Sequence, residues 1–160
     1  MLGEFKVLHV NIGKRKTAHW SPFCDERLAS FEALAVIEPY VYEDLDTGEP
    51  VFPVERNWQL FAPNVKHEGE VRYAYRAATW VNKRHAVDQV ALPSGDMVTV
   101  TVPTNRGAVS IVSAYDLKST DSQAAIEEQL RSKLRTIKEA FDRVKALTLI
   151  NRGGTQVDVC

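Results

Sequence analysis

Hydrophobic positions fall in short runs separated by turn-forming residues. The run Ala33-Leu34-Ala35-Val36-Ile37 is aliphatic and closed by Glu38-Pro39, which predicts a buried strand. Pro39 cannot extend a ladder, so the chain leaves the sheet there. Period-2 alternation sets Glu38 on the face of Leu34 and Val36. An earlier strand is predicted over Phe5–Gly13, with Asn11 at its end, and a third core strand over Gly107–Tyr115, ending in a polar residue.

Between the first two strands, Ser21-Pro22 reads as a helix start, with Ser as N-cap and Pro in the first turn. Asp25 and Glu26 then sit where the helix dipole favours anions, and Phe23, Leu28 and Phe31 can face a core. Strand, helix, neighbouring strand is a right-handed crossover unit. Val41 to Arg56 is acidic and Pro-rich and reads as a surface loop. Its carboxylates lack the alternating spacing of a calcium loop. Trp58–Ala62, Ala77–Val81, Val87–Leu92 and Val98–Val102 predict short strands joined by turns, the basic turn Asn82-Lys83-Arg84-His85 among them, which implies mostly antiparallel pairing. Val98–Val102 alternates as a half-buried strand should.

Thr120-Asp121-Ser122-Gln123 predicts the start of a long helix, with Thr120 as N-cap and Gln three residues on. Leu130, Leu134, Ile137, Phe141 and Val144 follow as one apolar stripe, and Glu127/Arg131 and Glu139/Arg143 pair along the other face. Asn151-Arg152-Gly153-Gly154 breaks the helix, and Thr155–Cys160 reads as another strand.

Length and composition add limits. The chain has 160 residues, 44% of them hydrophobic and 26% charged, with a net charge of −1. That suffices for a single domain, 1–160, with a sizeable core. It excludes a strongly basic nucleic-acid binder, so any such site is local. No run reaches membrane-spanning length, no secretory leader is evident, and Cys24 and Cys160 form no ligand pattern. These point to an intracellular protein, nuclear or cytoplasmic, with free thiols.

Candidate chemistry collects at strand ends. A carboxylate closing an apolar run is solvated, paired or metal-bound, and Glu38 alone permits all three. Lys14, Arg15 and Lys16, followed by Trp20, can meet a phosphate backbone and a base; they can equally form a solvated loop. His9 shares a face with Asn11 but lies deeper, as a hydrogen-bonded structural histidine would. His19, His67 and His85 fall in separate loops without an evident partner.

Three strands thus end in Asn11, Glu38 and Tyr115. That order resembles the endonuclease/exonuclease/phosphatase family of metal-dependent phosphodiesterases. Within it the chain is most similar to the N-terminal endonuclease domain of fungal non-LTR retrotransposon reverse transcriptases, through its Val10-Asn11-Ile12 and Glu38-Pro39-Tyr40. The resemblance spans nearly the whole chain but only the first part of the family's domain. It implies an α/β fold, an incomplete four-layer sandwich of two mainly antiparallel sheets between outer helices. It further implies catalytic roles for Asn11 and Tyr115, Glu38 as ligand of a weakly held Mg²⁺ or Mn²⁺, and DNA as partner.

The family's Asp-x-Asn and Ser-Asp-His motifs occur nowhere in the sequence, and Asp116-Leu117 stands where the family has a Pro nearby. The expectation is an endonuclease-type domain truncated before its catalytic half and inactive alone, with weak nucleic-acid binding and self-association through unpaired sheet edges. The alternative is a non-catalytic remnant or interaction module.

Overall fold

A computed structural model describes residues 4–53, 55–115, 122–144 and 147–152; of these, the side chains of 20–22, 24, 27, 28, 140, 141, 143, 144 and 147–152 lie outside the description. Two four-stranded sheets stack face to face. The first contains β1 (Val7–Asn11), β2 (Ala33–Ile37), β6 (Ala77–Asn82) and β5 (Trp58–Phe61) in that order. The second contains β10 (Leu147–Arg152), β9 (Gly107–Ala114), β8 (Met97–Thr104) and β7 (Asp88–Val90). β1 pairs parallel with β2, and β10 with β9; the other pairs are antiparallel. The parallel pairs are the two crossovers, one through helix α1 (Lys16–Cys24) and one through helix α2 (Gln123–Val144).

The pleat sorts the core into three zones. Ala33, Ala35, Ala77 and Val81 of the first sheet meet Val98, Val100, Val102, Val109 and Ile111 of the second. Small residues on one side and β-branched ones on the other let the sheets approach. Leu34, Val36, Ala78 and Trp80 point outward and are covered by Ile12, Val41, Phe52 and, from α1, Ala18 and Phe23. On the far side, Met97, Val112 and Ala114 pack with Leu92 and with Ile137 of α2. Outer helix, sheet, sheet, outer helix is the expected four-layer sandwich.

Several boundaries depart from the sequence reading. Helix α1 starts at Lys16, and its first i→i−4 bond runs from the His19 N–H to the Arg15 carbonyl at 3.0 Å. Ser21-Pro22 is therefore inside it. Pro22 removes a donor, and the helix ends at Cys24, with Asp25 extended at its C-cap rather than in a first turn. Glu26 opens a separate 3-10 stretch, Glu26–Ser30. The acidic segment contains a ribbon, β3 (Tyr42–Glu43) paired with β4 (Pro50–Val51), closed by Asp44, whose Oδ1 accepts from the N–H groups of Asp46 and Thr47. β8 is buried on both faces from Met97 to Val102, not half-buried. Its outward threonines are covered, and the Thr101 and Ser110 hydroxyls bond at 3.0 Å.

At α2 the capping oxygen belongs to Ser122, which accepts from the Ala125 N–H at 3.4 Å; Thr120 lies outside the described residues. The covered stripe runs through Ile126, Leu130, Lys133 and Ile137, while Leu134 is 43% exposed. Leu147–Arg152 forms a strand rather than a continuation and breaking of the helix. The strand expected over Thr155–Cys160 lies outside the described residues.

Candidate functional site

One rim of the sandwich gathers the carboxyl ends of β1, β2 and β9. A relay of backbone bonds ties it together. The Lys14 N–H donates to the Glu38 carbonyl at 2.8 Å, the Glu38 N–H to the Arg76 carbonyl at 2.9 Å, and the Arg76 N–H to the Gly95 carbonyl at 3.4 Å. The Tyr115 N–H donates to the Asp96 carbonyl at 2.8 Å. Both sheets are thereby joined at the level of Glu38. A Cβ at Gly95 would sit 2.9 Å from the His67 ring and 3.0 Å from the Val65 carbonyl, so a larger residue would push His67 away from Asp96.

The local backbone is strained where the chemistry lies. Lys14 and Glu38 are the non-glycine residues with positive φ among those described, at 57° and 49°. Such a conformation costs about 1–2 kcal/mol per L-residue, and persists where surroundings enforce it. Asn11 starts the turn: its Oδ1 accepts from the Gly13 N–H at 2.9 Å, and Gly13 is itself left-handed at φ 57°. Asn11 thus spends its side-chain oxygen on shaping the loop that carries Lys14. The left-handed backbone of Glu38 also breaks the alternation, so its carboxylate meets groups from the other sheet instead of following Leu34 and Val36 outward.

The carboxylate is paired with an ammonium. Lys14 Nζ lies 3.1 Å from Glu38 Oε1, with the lysine side chain 14% exposed. The Tyr115 ring lies on the other side of that ammonium, 5.9 Å from Lys14 Nζ to the ring centre. Burial first, then the nearby Glu38 charge, raises the Tyr115 phenol above its ordinary pKa, while Arg76 opposes the shift. Aromatic rings and cations close the surroundings: Lys14 Nζ is 5.2 Å from the Tyr73 ring centre and 5.9 Å from that of Tyr115. Arg72 lies 4.6 Å from the Tyr73 centre and Arg76 5.3 Å from that of Tyr115. Asp96 anchors the edge, accepting from His67 at 2.7 Å and lying 3.7 Å from Arg76.

No protein-family model matches the chain, and no curated protein matches it. Solved structures do. The endonuclease domain of TRAS1, a telomere-specific non-LTR retrotransposon, superposes with a TM-score of 0.65 at 18% identity, over 93% of this chain and 58% of that one. The AP endonuclease LMAP from Leishmania major superposes with a TM-score of 0.59 at 14% identity, over 92% of this chain and 54% of that one. The chain has the endonuclease/exonuclease/phosphatase fold. It spans a little over half the length of these two neighbours.

Within that fold, the rim assembles Asn11, Lys14, Glu38 and Tyr115. Arg15 is exposed at the N-cap of α1, and Lys16 is exposed as its first residue. Trp20 lies within α1, and its side chain is outside the described residues. Arg72, Tyr73, Arg76, His67 and Asp96 are rim residues the sequence reading missed. Arg76 was within reach of it: antiparallel pairing sets Ala77 opposite Ile37, so the residue before β6 must flank the residue after β2.

The histidines divide by environment. His19 is fully buried against the rings of Phe23, Tyr40 and Trp80, and burial lowers its pKa to about 4. His67 has Asp96 as partner. His85 has Glu32, which also binds Arg84, so two residues of the basic turn are committed at the opposite end of the sheet. Burial lowers the His9 pKa, but its Nε2 has no hydrogen-bond partner among the described residues.

Endonucleases of this fold are generally dependent on divalent metals. Among the described residues no group of three or more His, Cys, Asp and Glu comes together. Both described rim carboxylates are already engaged, Glu38 by the Lys14 ammonium and Asp96 by His67 and Arg76.

Proposed function

We propose that this chain is the nucleic-acid-facing part of an endonuclease-type domain, binding DNA phosphates weakly and without sequence preference. The observation that carries the reading is the Lys14–Glu38 pair beside the Tyr115 ring at the strand ends, flanked by Arg72, Tyr73 and Arg76. Cations interleaved with tyrosine rings suit a backbone of phosphates and unstacked bases. Arg15 and Lys16 extend the cationic rim along the start of α1, with Trp20 on the same helix.

The roles divide by chemistry. Lys14, Arg15 and Lys16 meet phosphate oxygens as charge-assisted donors, while Arg72 and Arg76 stay over the Tyr73 and Tyr115 rings. Tyr115, its phenol raised above the ordinary pKa by burial and then by the Glu38 charge, holds a neutral hydroxyl at pH 7, able to donate to a phosphate. Asn11 positions the loop. Glu38 is the residue that would face a divalent cation, Mg²⁺ or Mn²⁺. Among the described residues, none of the rim is placed to orient an attacking water, and in-line phosphodiester hydrolysis requires that. The 160 residues on their own are therefore inactive as a nuclease. A second reading, a non-catalytic interaction module, is favoured by one observation: the carboxylate is neutralised from within the chain.

The test is fluorescence anisotropy with a labelled oligonucleotide at low salt, together with nicking of supercoiled DNA in Mg²⁺. Binding should be weak, with a log–log salt slope of about −2 to −3 for roughly three phosphate contacts, and absent when Lys14, Arg15 and Lys16 are all replaced by Ala. Binding that survives this triple change overturns the assignment of those cations. Magnesium-dependent nicking lost on Glu38→Ala overturns the inactivity.

A further inference from the structure

We propose that a cleft at the far end of the first sheet from the rim is a second ligand site, one that takes an adenine nucleotide. The inference stands apart from the reading of the rim.

The cleft encloses about 650 Å³, within the range of small-molecule sites. Strand β6 separates it from the rim. Arg76 precedes that strand at the rim and Asn82 ends it at the cleft, a span of roughly 20 Å at about 3.3 Å per residue.

Strand register builds the site. Antiparallel pairing sets Trp58 of β5 opposite Asn82 of β6, and the Lys83 N–H donates to the Asn57 carbonyl at 2.9 Å. The two strand ends thereby bring Arg56, Asn57 and Lys83 to one wall of the cleft. The end of α1 and the 3-10 stretch supply Asp25 and Glu26 to another. These elements meet through two half-buried rings, Phe23 and Trp58, whose centres lie 6.1 Å apart at 75°.

Each feature selects one part of a ligand. Two rings at this angle make a corner, in which a flat heterocycle stacks on one ring and meets the edge of the other. Arg56 and Lys83 are exposed and have no ion-pair partner among the described residues, whereas Arg84 is held by Glu32. The two unpaired cations suit a phosphate, as charge-assisted donors. Glu55 and Glu26 keep the lining near neutrality, so a phosphate without further contacts is not enough. Glu26 offers an acceptor for an exocyclic amine. The Asn57 amide presents a donor and an acceptor together, the pairing that matches adenine N6 and N7. Base, amine and phosphate on one molecule thus match rings, carboxylate and cations in one cleft. The shared chemistry is that of a nucleotide, either free or within a strand.

The experiment titrates the 160-residue chain with AMP and follows backbone amides by NMR. Saturable shifts are expected at residues 56–58 and 82–84. Adenosine, which lacks the phosphate, should bind at least about tenfold more weakly, and the double variant Arg56→Ala, Lys83→Ala should bind AMP no better than adenosine. Both substituted residues are exposed, so the fold tolerates the change. UMP, which lacks an exocyclic amine, should bind more weakly than AMP. Trp58→Ala should weaken AMP by about tenfold through lost stacking; Trp58→Phe, which keeps a ring, should retain most of the binding and serves should the Ala variant misfold. A deoxyadenosine tetranucleotide that shifts the same amides more tightly than AMP assigns the nucleotide to a strand; one that does not assigns it to a free nucleotide. AMP shifts confined to residues 11–14 and 37–38, equal binding of AMP and adenosine, or the same shifts from inorganic phosphate alone would each overturn the proposal. So would no shift at all. Oligonucleotide binding at the rim is read at its own amides, so its failure is distinguishable from failure of this cleft.

Discussion

The outer faces of the two sheets are covered in opposite ways. The first is covered by a nine-residue helix with no amphipathic pattern and with Pro22 in its last turn. That helix nevertheless plants His19 and Phe23 against Trp80, which Phe52 also meets from the segment after the β3–β4 ribbon. The second face is covered by a 22-residue helix with a clear apolar stripe. Ile137 is its one described side chain within a core cluster, over a sheet face that also holds Thr99, Thr101 and Ser110. A strong helical period shows that a helix forms and which side turns inward; it does not measure how much that side buries. A weakly patterned helix can be held by tertiary contacts alone.

If that contrast is right, the largest effect belongs to the first face. Trp80→Ala should destabilise by about 3–5 kcal/mol, because an aromatic surrounded by other rings leaves a cavity they cannot fill. Ile137→Ala should cost about 2 kcal/mol, at the low end for a core aliphatic, since its cluster is small. Urea unfolding of both variants checks the ordering; an equal or larger loss at Ile137 breaks the comparison.

The next effect depends on pH. His19 is neutral in the fold, with a pKa of about 4, against about 6.5 when unfolded. The unfolded chain therefore takes up the proton first as pH falls. The stabilisation from a neutral His19 is complete above pH 6.5 and disappears as pH drops toward 4. The loss is on the order of 2–3 kcal/mol. Carboxylate pairs such as Glu32 with Arg84 also weaken in acid, so the readout is a difference: His19→Phe should lose less stability than wild type between pH 7 and 4. Parallel pH curves would show that this histidine does not titrate with unfolding.

Much of this was legible from the residues, and the failures share a cause. Strand positions followed from runs such as Ala33–Ile37 and Ala77–Val81, because burial on both faces demands aliphatic continuity. Glu38, Asn11 and Tyr115 were found because each ends such a run. The start of α1 was misplaced because Ser21-Pro22 is a good local helix signal, whereas the turn that starts the helix depends on Lys14 bonding across to Glu38. Thr99 and Thr101 imitate a solvent-facing alternation, yet a helix and a neighbouring hydroxyl cover them. Arg72, Tyr73 and Arg76 were missed because nothing in their own segment marks them; they reach the rim through the register of β6 against β2. Local chemistry was readable, while contacts made by distant backbone were not.

Between the sheets the comparison is sharpened by a polar contact. The Thr79 and Ser113 hydroxyls bond at 2.7 Å across the inter-sheet core. Thr79→Val keeps the shape but strands the Ser113 hydroxyl, at a cost of about 1–2 kcal/mol. Adding Ser113→Ala should restore part of that loss, because removing both partners leaves no unpaired group. A double-mutant cycle by urea unfolding reads the coupling; strictly additive losses would show that the bond contributes nothing between the sheets.

The smallest effect is the most discriminating for α2. Leu134 belongs to the stripe by spacing but is 43% exposed, whereas Lys133 turns inward and donates from its ammonium to the Tyr115 carbonyl. The helix is rotated so that a lysine, not a leucine, lies over the end of β9. Leu134→Ala should therefore change stability by no more than about 0.5 kcal/mol, with a slight gain in helix propensity from Ala offsetting lost surface contact. Lys133→Ala should exceed it, because the Tyr115 carbonyl loses a charged donor beside the Glu38 rim. A Leu134→Ala loss comparable to that of Ile137→Ala would mean that the stripe read from spacing, rather than the rotated one, is the face that docks.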